Sequence, residues 1–318
     1  SLRLLANLVD KSLLRRLENS RYTLHPQLRH FAHEHLEQTP TLLNQVQHRH
    51  AQYFADFLQH TLAGLSGVEQ QQAFARTDLE ADNIRLGWRY AVEQDQVALL
   101  DRYVPGIFHF YNIRGWYLEG ATLFQSAIQR IRNRPQGCAD GAELWHTLGA
   151  LLVHCAEFLH RLSNFDAAYL LLEEALPLVR DHQRAGEIGF ALNALGYNFY
   201  MRGDYNRALA PYQEALALFR QNEQLAGVAT VLNNLGNLWA AQEENDNYEA
   251  AQKCYAESLQ IARNSGNQQE SARALRNLGS IAHVQKEYVT ARYYYDESLK
   301  TARLIDSRRV MAIALTNL

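Results

Sequence analysis

The chain has 318 residues, with 31 Lys and Arg against 34 Asp and Glu and a formal charge of −3 at pH 7. That length exceeds what one ordinary core serves, and the charge excludes a broad electrostatic footprint for nucleic acid. Six prolines among many Ala, Leu, Gln and Arg favour helix throughout, and no apolar run reaches the roughly 20 residues of a membrane span. Cys138, Cys155 and Cys254 cannot all pair and show no metal spacing. With no signal-peptide pattern, the expected compartment is the reducing cytoplasm.

Residues 1 to 10 read as the end of a helix, with Leu2, Leu4, Leu5 and Leu8 apolar. Ser12 to Leu17 and Arg21 to Leu24 predict two short strands, and Glu18-Asn19-Ser20 supplies the turn between them. Pro26 suits the first turn of a helix, where its missing N–H has no partner to lose. Leu28, Phe31, Ala32 and His35 or Leu36 line one face of that helix to about Glu37. Helix, hairpin, helix is the back half of a winged-helix domain. Residues 1–40 are therefore expected to be its C-terminal part, with Ser1 a boundary rather than a natural start.

Thr39-Pro40-Thr41 breaks the pattern, and a helix from about Leu42 to Leu62 follows, interrupted by Gly64 and Gly67. Thr77-Asp78-Leu79-Glu80 has the spacing of a capping box and predicts a helix start leading through Ile84, Trp88 and Ala91. Residues 41–100 are read as an irregular helical connector.

From residue 101 the chain repeats. Leu195-Gly196 is followed by Ala208, Tyr212 and Ala215; Leu235-Gly236 by Ala251, Tyr255 and Ser258; Leu278-Gly279 by Ala291, Tyr295 and Ser298. The leucines step by 40 and 43 residues, and Leu318 lies 40 further on, so the array is expected to be cut inside a repeat. Two earlier units are degenerate: Gly115, Tyr117, Gly120, Phe124 and Ala127, then Cys155, Ala156, Leu159, Phe165, Ala168, Leu172 and Ala175. The units fall near 101–140, 141–186, 187–226, 227–269 and 270–310, with a truncated one to 318. In the fourth, three extra residues within Glu243-Glu244-Asn245-Asp246-Asn247 account for the longer step. The signature resembles the tetratricopeptide repeat, whose period is about 34 residues. The predicted fold is all-α: a right-handed superhelix of helix pairs, about 40 residues each, preceded by a partial winged-helix domain with a small β-hairpin.

Each unit is two antiparallel helices that cannot bury their apolar faces alone. Small residues at Gly196, Gly236, Gly279, Ala208, Ala251 and Ala291 let helix axes approach. Tyr212, Tyr255 and Tyr295 are expected to fill grooves between successive pairs. Positions three before, one after and four after the signature glycine should face the concavity. This selects Asn193, Tyr197 and Tyr200; Asn233, Asn237 and Ala240; Arg276, Ser280 and His283; and, in the second unit, Val153, Glu157 and His160. Asn side chains donate and accept, and Arg276 has the fork geometry for a carboxylate or phosphate. The expected occupant is a protein, peptide or small molecule. Asn234, Asn277 and Asn317 recur two places before the glycine position and are read as bonds between helices. In Tyr293-Tyr294-Tyr295 the register puts only Tyr295 in the core.

Leu8-Val9-Asp10-Lys11-Ser12-Leu13-Leu14 and Arg21-Tyr22-Thr23-Leu24-His25-Pro26-Gln27-Leu28-Arg29-His30-Phe31-Ala32 resemble the end of the winged-helix domain of STAND-type signalling ATPases, which include NB-ARC and maltose-activator-like regulators. Leu79 to Arg85 and Phe108 to Gly120 resemble the segments that follow in bacterial members. The resemblance implies an upstream nucleotide-binding domain that holds ADP or ATP, with the repeat array as its sensor. Leu24-His25-Pro26 matches the family's Met-His-Asp motif, so His25 is implied as an ADP phosphate contact in the full-length protein. Pro26 stands where that motif has its aspartate. No G-x-x-x-x-G-K-[ST] occurs, so no cofactor and no catalysis are expected of this chain itself.

His30, His33 and His35 do not share one helix face, and a solvated surface is the simpler reading than a metal site. Ser66 in Gly64-Leu65-Ser66-Gly67 is not in a nucleophile elbow. Lys11, Arg15, Arg16, Arg21 and Arg29 could touch phosphates, but the reading helix of a winged helix would precede Ser1, so nucleic acid is not an expected partner. The alternatives are a free-standing repeat adaptor and a winged-helix regulator.

Overall fold

The computed structural model describes residues 2–17, 21–65, 70–134, 141–181, 185–242, 245–304 and 311. The expected Glu18-Asn19-Ser20 turn, Cys138, Ser66, Gly67, Glu243-Glu244, Asn317 and Leu318 lie outside these. The chain forms two compact units, Ser1–Tyr53 and Phe54–Leu318.

In the first unit, helix α1 (Leu2–Asp10) ends at Ser12, whose φ of 56° turns the chain back. Strands β1 (Leu14–Arg16) and β2 (Tyr22–Leu24) pair antiparallel, Leu14 opposite Leu24 and Arg16 opposite Tyr22. Helix α2 (Pro26–Glu37) follows, and α3 (Pro40–Leu65) carries the chain into the second unit. Pro40 begins α3 instead of breaking the pattern: at the first helical position its lack of an N–H is harmless. No described side chain before Ala51 is buried, and Leu4 and Phe31 stand exposed. This unit therefore has little core of its own.

The second unit continues with α4 (Gln70–Leu79) and α5 (Ala81–Glu93). The capping box is not formed. Thr77 lies within α4 and donates its hydroxyl to the Ala73 carbonyl at 2.8 Å, while Glu80 receives the Asn83 amide at 2.7 Å. Burial of Thr77 explains the difference, because its hydroxyl must be satisfied inside its own helix. Five helix pairs follow: α6 (Val97–Arg114) and α7 (Tyr117–Arg132); α8 (Ala142–Arg161) and α9 (Phe165–Asp181); α10 (Ala185–Met201) and α11 (Tyr205–Gln221); α12 (Leu225–Ala240) and α13 (Asn245–Asn264); α14 (Gln268–Val284) and α15 (Tyr288–Leu304). The even-numbered first helices pack on one another in sequence, α6 on α8, α8 on α10, α10 on α12 and α12 on α14.

The turns within four of the pairs carry a left-handed residue, Gly115 at φ 77°, Ser163 at φ 59°, Gly203 at φ 78° and Lys286 at φ 63°. Only glycine takes that conformation without strain. Asp204 then caps α11, its carboxylate accepting the Arg207 N–H at 3.2 Å.

The tyrosines pack differently from the expectation. Each lies on the signature glycine of its own pair: a Cβ on Gly196 would come within 2.7 Å of the Tyr212 ring, and one on Gly279 within 2.6 Å of Tyr295. The groove between pairs is filled by other aromatics. Phe219 covers Gly227 of the next pair, and Phe158 covers Gly120 of the preceding one. The residue after the glycine then partners the tyrosine hydroxyl. Tyr255 donates to Asn237 Oδ1 at 2.8 Å and Tyr295 to Ser280 Oγ at 3.4 Å. In the 196 unit that residue is Tyr197, and the buried Tyr212 hydroxyl has no partner. Tyr294 packs against the core that α13 and α14 share around Tyr255 and Leu278, while Tyr293 is 58% exposed.

A second regularity joins the outer helices. Arg132, Arg180 and Arg220 pair with Glu174, Glu214 and Glu257 of the next unit, the last two pairs at 2.7 and 2.6 Å. The glutamate always precedes the signature Ala or Ser by one residue, and the arginine follows it by five. These pairs are about half exposed, so each adds little stability, but they repeat in phase with the units.

Gly196→Ala should destabilise the fold by about 1–3 kcal/mol through overpacking against Tyr212, read as a lower urea midpoint. Tyr212→Phe should be neutral or stabilising, since it removes an unpartnered buried hydroxyl, whereas Tyr255→Phe should lower stability by about 1 kcal/mol. Burial depresses His154, stacked 4.3 Å from Phe108, to about 3 and His109 to about 4. Both are neutral in the folded state while the unfolded chain takes protons below about 6.5, so stability is full above that pH. It should then fall by about 1.4 kcal/mol per histidine per pH unit between roughly 6.5 and 4, measured as denaturation midpoints across that range.

Candidate ligand cavity

The inner wall is made by the first helix of each pair, because their second helices carry the outer face. Successive A helices contribute side chains to a cavity of about 930 Å³. Asn112 and Arg114 come from α6, Glu157, His160 and Arg161 from α8, Asn193, Tyr197 and Tyr200 from α10, Thr230, Asn234 and Asn237 from α12, and Glu270, Arg273 and Arg276 from α14. Phe74 of α4 and Trp116 and Tyr117 at the start of α7 close one end.

Of the wall residues read from the sequence, Asn193, Tyr197, Tyr200, Asn237 and Arg276 line this cavity, as do Glu157 and His160. Asn233 does not. It is fully buried, donating to Ser258 Oγ at 2.8 Å and Glu270 Oε2 at 2.9 Å, so its amide is engaged in packing. Ser280 is turned toward Tyr295, and its hydroxyl donates to the Arg276 carbonyl at 3.2 Å. His283 is exposed near the end of α14, its ring 5.7 Å from Tyr288. Val153 is buried, and Ala240 is half-buried away from the cavity. Val153 and Asn233 fail in the middle of their helices because packing buries them, whereas His160 and Tyr200 line the cavity from near helix ends.

The asparagines form a network along this wall. Asn234 donates to Asn193 Oδ1 at 2.7 Å, and Asn277 donates to Asn237 Oδ1 at 3.1 Å and Asn233 Oδ1 at 3.4 Å. Each amide two places before a glycine thus bonds back to the preceding helix. Asn234 nevertheless reaches the cavity, where its oxygen accepts from Arg273.

Sequence reasoning missed Thr230 and the Glu270–Arg273 pair, whose closest atoms are 3.5 Å apart. Glu270, Arg273 and Arg276 are spaced by three, so the helical stripe could have been extended two turns toward the start of α14. It also missed the N-terminal end. Arg114 lies 4.9 Å over the Trp116 ring and pairs with Asp78 at 3.4 Å, and Arg85 lies 4.7 Å over the same ring while bonding Glu119 at 2.8 Å. No periodicity links Trp116 to the later repeats.

Burial raises Tyr200 and holds Tyr212 and Tyr255 well up, while Arg273 pulls all three the other way and Arg276 pulls Tyr200 and Tyr255. His160 is buried and lowered by desolvation, with Glu157 opposing that shift. Its Nε2 sits 3.1 Å from the Asn198 amide, and its Nδ1 has no partner. No nucleophile–base pair appears along the wall, and among the described residues no group of three His, Cys, Asp or Glu could hold a metal ion. His30 and His33 instead face Glu34 and Glu37 at 3.3 and 3.2 Å on an exposed surface. What the wall can do is hold: it offers amides, guanidinium groups and aromatic faces.

His25 is in the first unit. It caps α2, its exposed Nδ1 accepting the Gln27 N–H at 3.4 Å. Among the described residues no helix is long and apolar enough to cross a membrane.

The sequence profile of the tetratricopeptide repeat matches residues 227–304. No curated protein matches this sequence. Among solved structures, BtubC (BKLC) from P. vanneervenii is similar with a TM-score of 0.54 at 20% identity, over 74% of this chain and 93% of that one. The Rap conjugation gene regulator of plasmid pLS20, in complex with a Phr peptide, gives 0.56 at 13% identity over 82% and 78%. A STAND protein with a tetratricopeptide-repeat sensor from Pyrococcus horikoshii gives 0.51 at 15% identity over 98% of this chain and 48% of that one, so this chain spans about half its length. At such identities the likeness shows the fold alone: residues 227–304 carry tetratricopeptide repeats, and the helix pairs form a superhelix of that kind.

Proposed function

We propose that this chain is the sensor arm of a STAND-type signalling ATPase, taking a peptide or small ligand in its inner cavity and relaying occupancy to an upstream nucleotide switch. The observation that carries the binding half is the cavity itself, about 930 Å³ and walled by five consecutive A helices. An occupant that spans the cavity touches several repeats at once, so its binding stiffens the array and can bias a neighbouring domain. For the switch half, the helix–hairpin–helix order of residues 2–37 and the likeness over 98% of the chain to the Pyrococcus protein are the support.

Within that reading, ADP or ATP belongs to the upstream domain and His25 meets its phosphate. The fit is chemical. With Nδ1 accepting from Gln27, neutral His25 carries its proton on Nε2, a donor suited to a phosphate oxygen. The ring is exposed beside the positive end of α2, which favours an anion. The nucleotide supplies the switch energy, and this chain supplies the contact that reports it.

A free-standing adaptor is the second reading. Its support is that the solenoid matches 93% of BtubC, so an array of this size can form a chain by itself.

In the full-length protein, His25→Ala should release bound ADP at least tenfold faster while the melting of residues 54–318 is unchanged. Unaltered ADP retention, or an upstream sequence without a P-loop, rules out the switch reading and leaves the adaptor.

A further inference from the structure

Histidine is spread unevenly along the array. Of the 13 in the chain, His109 is on α6, and His146, His154 and His160 are on α8. The described residues of α10 to α15 hold only His283, which is exposed. The three on α8 are all buried, on a helix enclosed by α6, α7, α9 and α10.

Each of the three faces a different neighbour. Near the start of α8, His146 Nδ1 lies 2.9 Å from Asp101 Oδ1 of α6. Mid-helix, His154 is stacked 4.3 Å from Phe108 of α6, with the Phe190 ring of α10 at 6.3 Å. At the end, His160 Nε2 is 3.1 Å from the Asn198 amide nitrogen of α10. That nitrogen also donates to the Phe165 carbonyl at 2.7 Å, which fixes the orientation of the amide. His160 Nε2 is therefore an acceptor, and the ring carries its proton on Nδ1.

These contacts answer acid in opposite ways. A proton on His146 strengthens its attraction to the Asp101 carboxylate. A proton on His154 places a charge among phenylalanine rings. The Phe108 face offers a cation some attraction, but the loss of water outweighs it, and burial holds His154 down to about 3. Protonated His160 would meet Asn198 donor to donor, and Asn198 cannot turn without losing the Phe165 carbonyl.

Neighbouring charges do not offset this. Among the described residues only His109 acts on the charge of His154, in the same sense as burial, so Glu187, one turn before Phe190 on α10, gives no relief. Glu157 and Arg161 of α8 act on His160 in opposite senses. Arg102 and Arg114 of α6 pair with Asp56 and Asp78. On α7 and α9, Glu119 pairs with Arg85, Arg130 with Asp95, Arg132 with Glu174 and Asp166 with Arg202.

We propose that α8 is an acid-operated hinge: protonation of His154 and His160 frees residues 152–161 from α6 and α10, while the Asp101–His146 pair keeps the start of α8 in place as the pivot. The pairs α12–α13 and α14–α15, with no buried histidine among their described residues, stay packed. Glu157 and His160 line the cavity, so opening the hinge parts its wall between α8 and α10. The hinge serves a sensor arm and an adaptor alike, because it acts on the wall itself.

A histidine held neutral when packed favours opening about tenfold per pH unit below about 6.5, so His154 alone contributes roughly thirtyfold by pH 5. Hydrogen exchange of residues 1–318, read by mass spectrometry at pH 7 and pH 5 with times scaled for the intrinsic rate, measures it. Protection within 152–161 should fall at least about thirtyfold more than that of α12 to α15, while the segment around His146 holds. His154→Leu should remove about thirtyfold of this response. His160→Gln, whose side-chain carbonyl still accepts from Asn198, should remove a further part. Circular dichroism at pH 7 checks that both variants fold; if either does not, NMR titration of the wild-type histidine rings decides. A His154 ring that stays neutral at pH 5 while 152–161 loses protection supports the hinge, and one that takes its proton near pH 6.5 with 152–161 still protected overturns it. Equal loss of protection in all five pairs overturns it in favour of global acid unfolding, and unchanged protection within 152–161 overturns it outright.

Discussion

The contact between a signature glycine on the first helix of a pair and a tyrosine ring on the second organises this molecule. With no Cβ at Gly196, Gly236 or Gly279, the ring lies directly against helix backbone. The two axes come close, and the ring edge points toward the next residue of the first helix. That residue becomes the natural partner of the tyrosine hydroxyl, as Asn237 and Ser280 are for Tyr255 and Tyr295. Where the position holds another tyrosine, Tyr197, the hydroxyl beneath is orphaned, and the freed ring of Tyr197 turns to the cavity.

The polarity of the inner wall follows from the same geometry. Buried amides between close-packed helices must find partners, and the asparagines do so by bonding to the preceding A helix. This network fixes the rotation of one pair against the next, a specific restraint that apolar contacts alone do not supply. It also removes Asn233 from the surface. Much of the apparent binding chemistry on these helices is therefore structural, and the part left facing the cavity is concentrated in tyrosines and arginines.

Charge is sorted by face. On the outer helices Arg and Glu recur at fixed places and neutralise each other from pair to pair. Among the side chains that line the cavity, the arginines Arg114, Arg161, Arg273 and Arg276 exceed the carboxylates Glu157 and Glu270. A near-neutral chain can thus carry a locally positive cavity, which formal charge averaged over 318 residues conceals.

The period, the helix pairs and the hairpin were legible because they depend on local rules: small and aromatic residues at fixed spacing, turn chemistry, and a proline where a helix starts. So were the bonds of Asn234 and Asn277, which recur in register. Other features needed tertiary contacts. Thr77 has the spacing of a cap, but burial put it inside α4, where its hydroxyl bonds its own helix. Asn233 and Asn193 occupy the same repeat position, yet only Asn233 has Ser258 and Glu270 beside it, and so only Asn233 is withdrawn from the cavity. Trp116, Arg114 and Phe74 join Arg276 around one space although more than 150 residues separate them in sequence. The sequence determined which side chains lie on one face of each helix, because that is a matter of 100° per residue. Only the superhelix decided which faces meet around a cavity, because that depends on the summed rotation of five helix pairs.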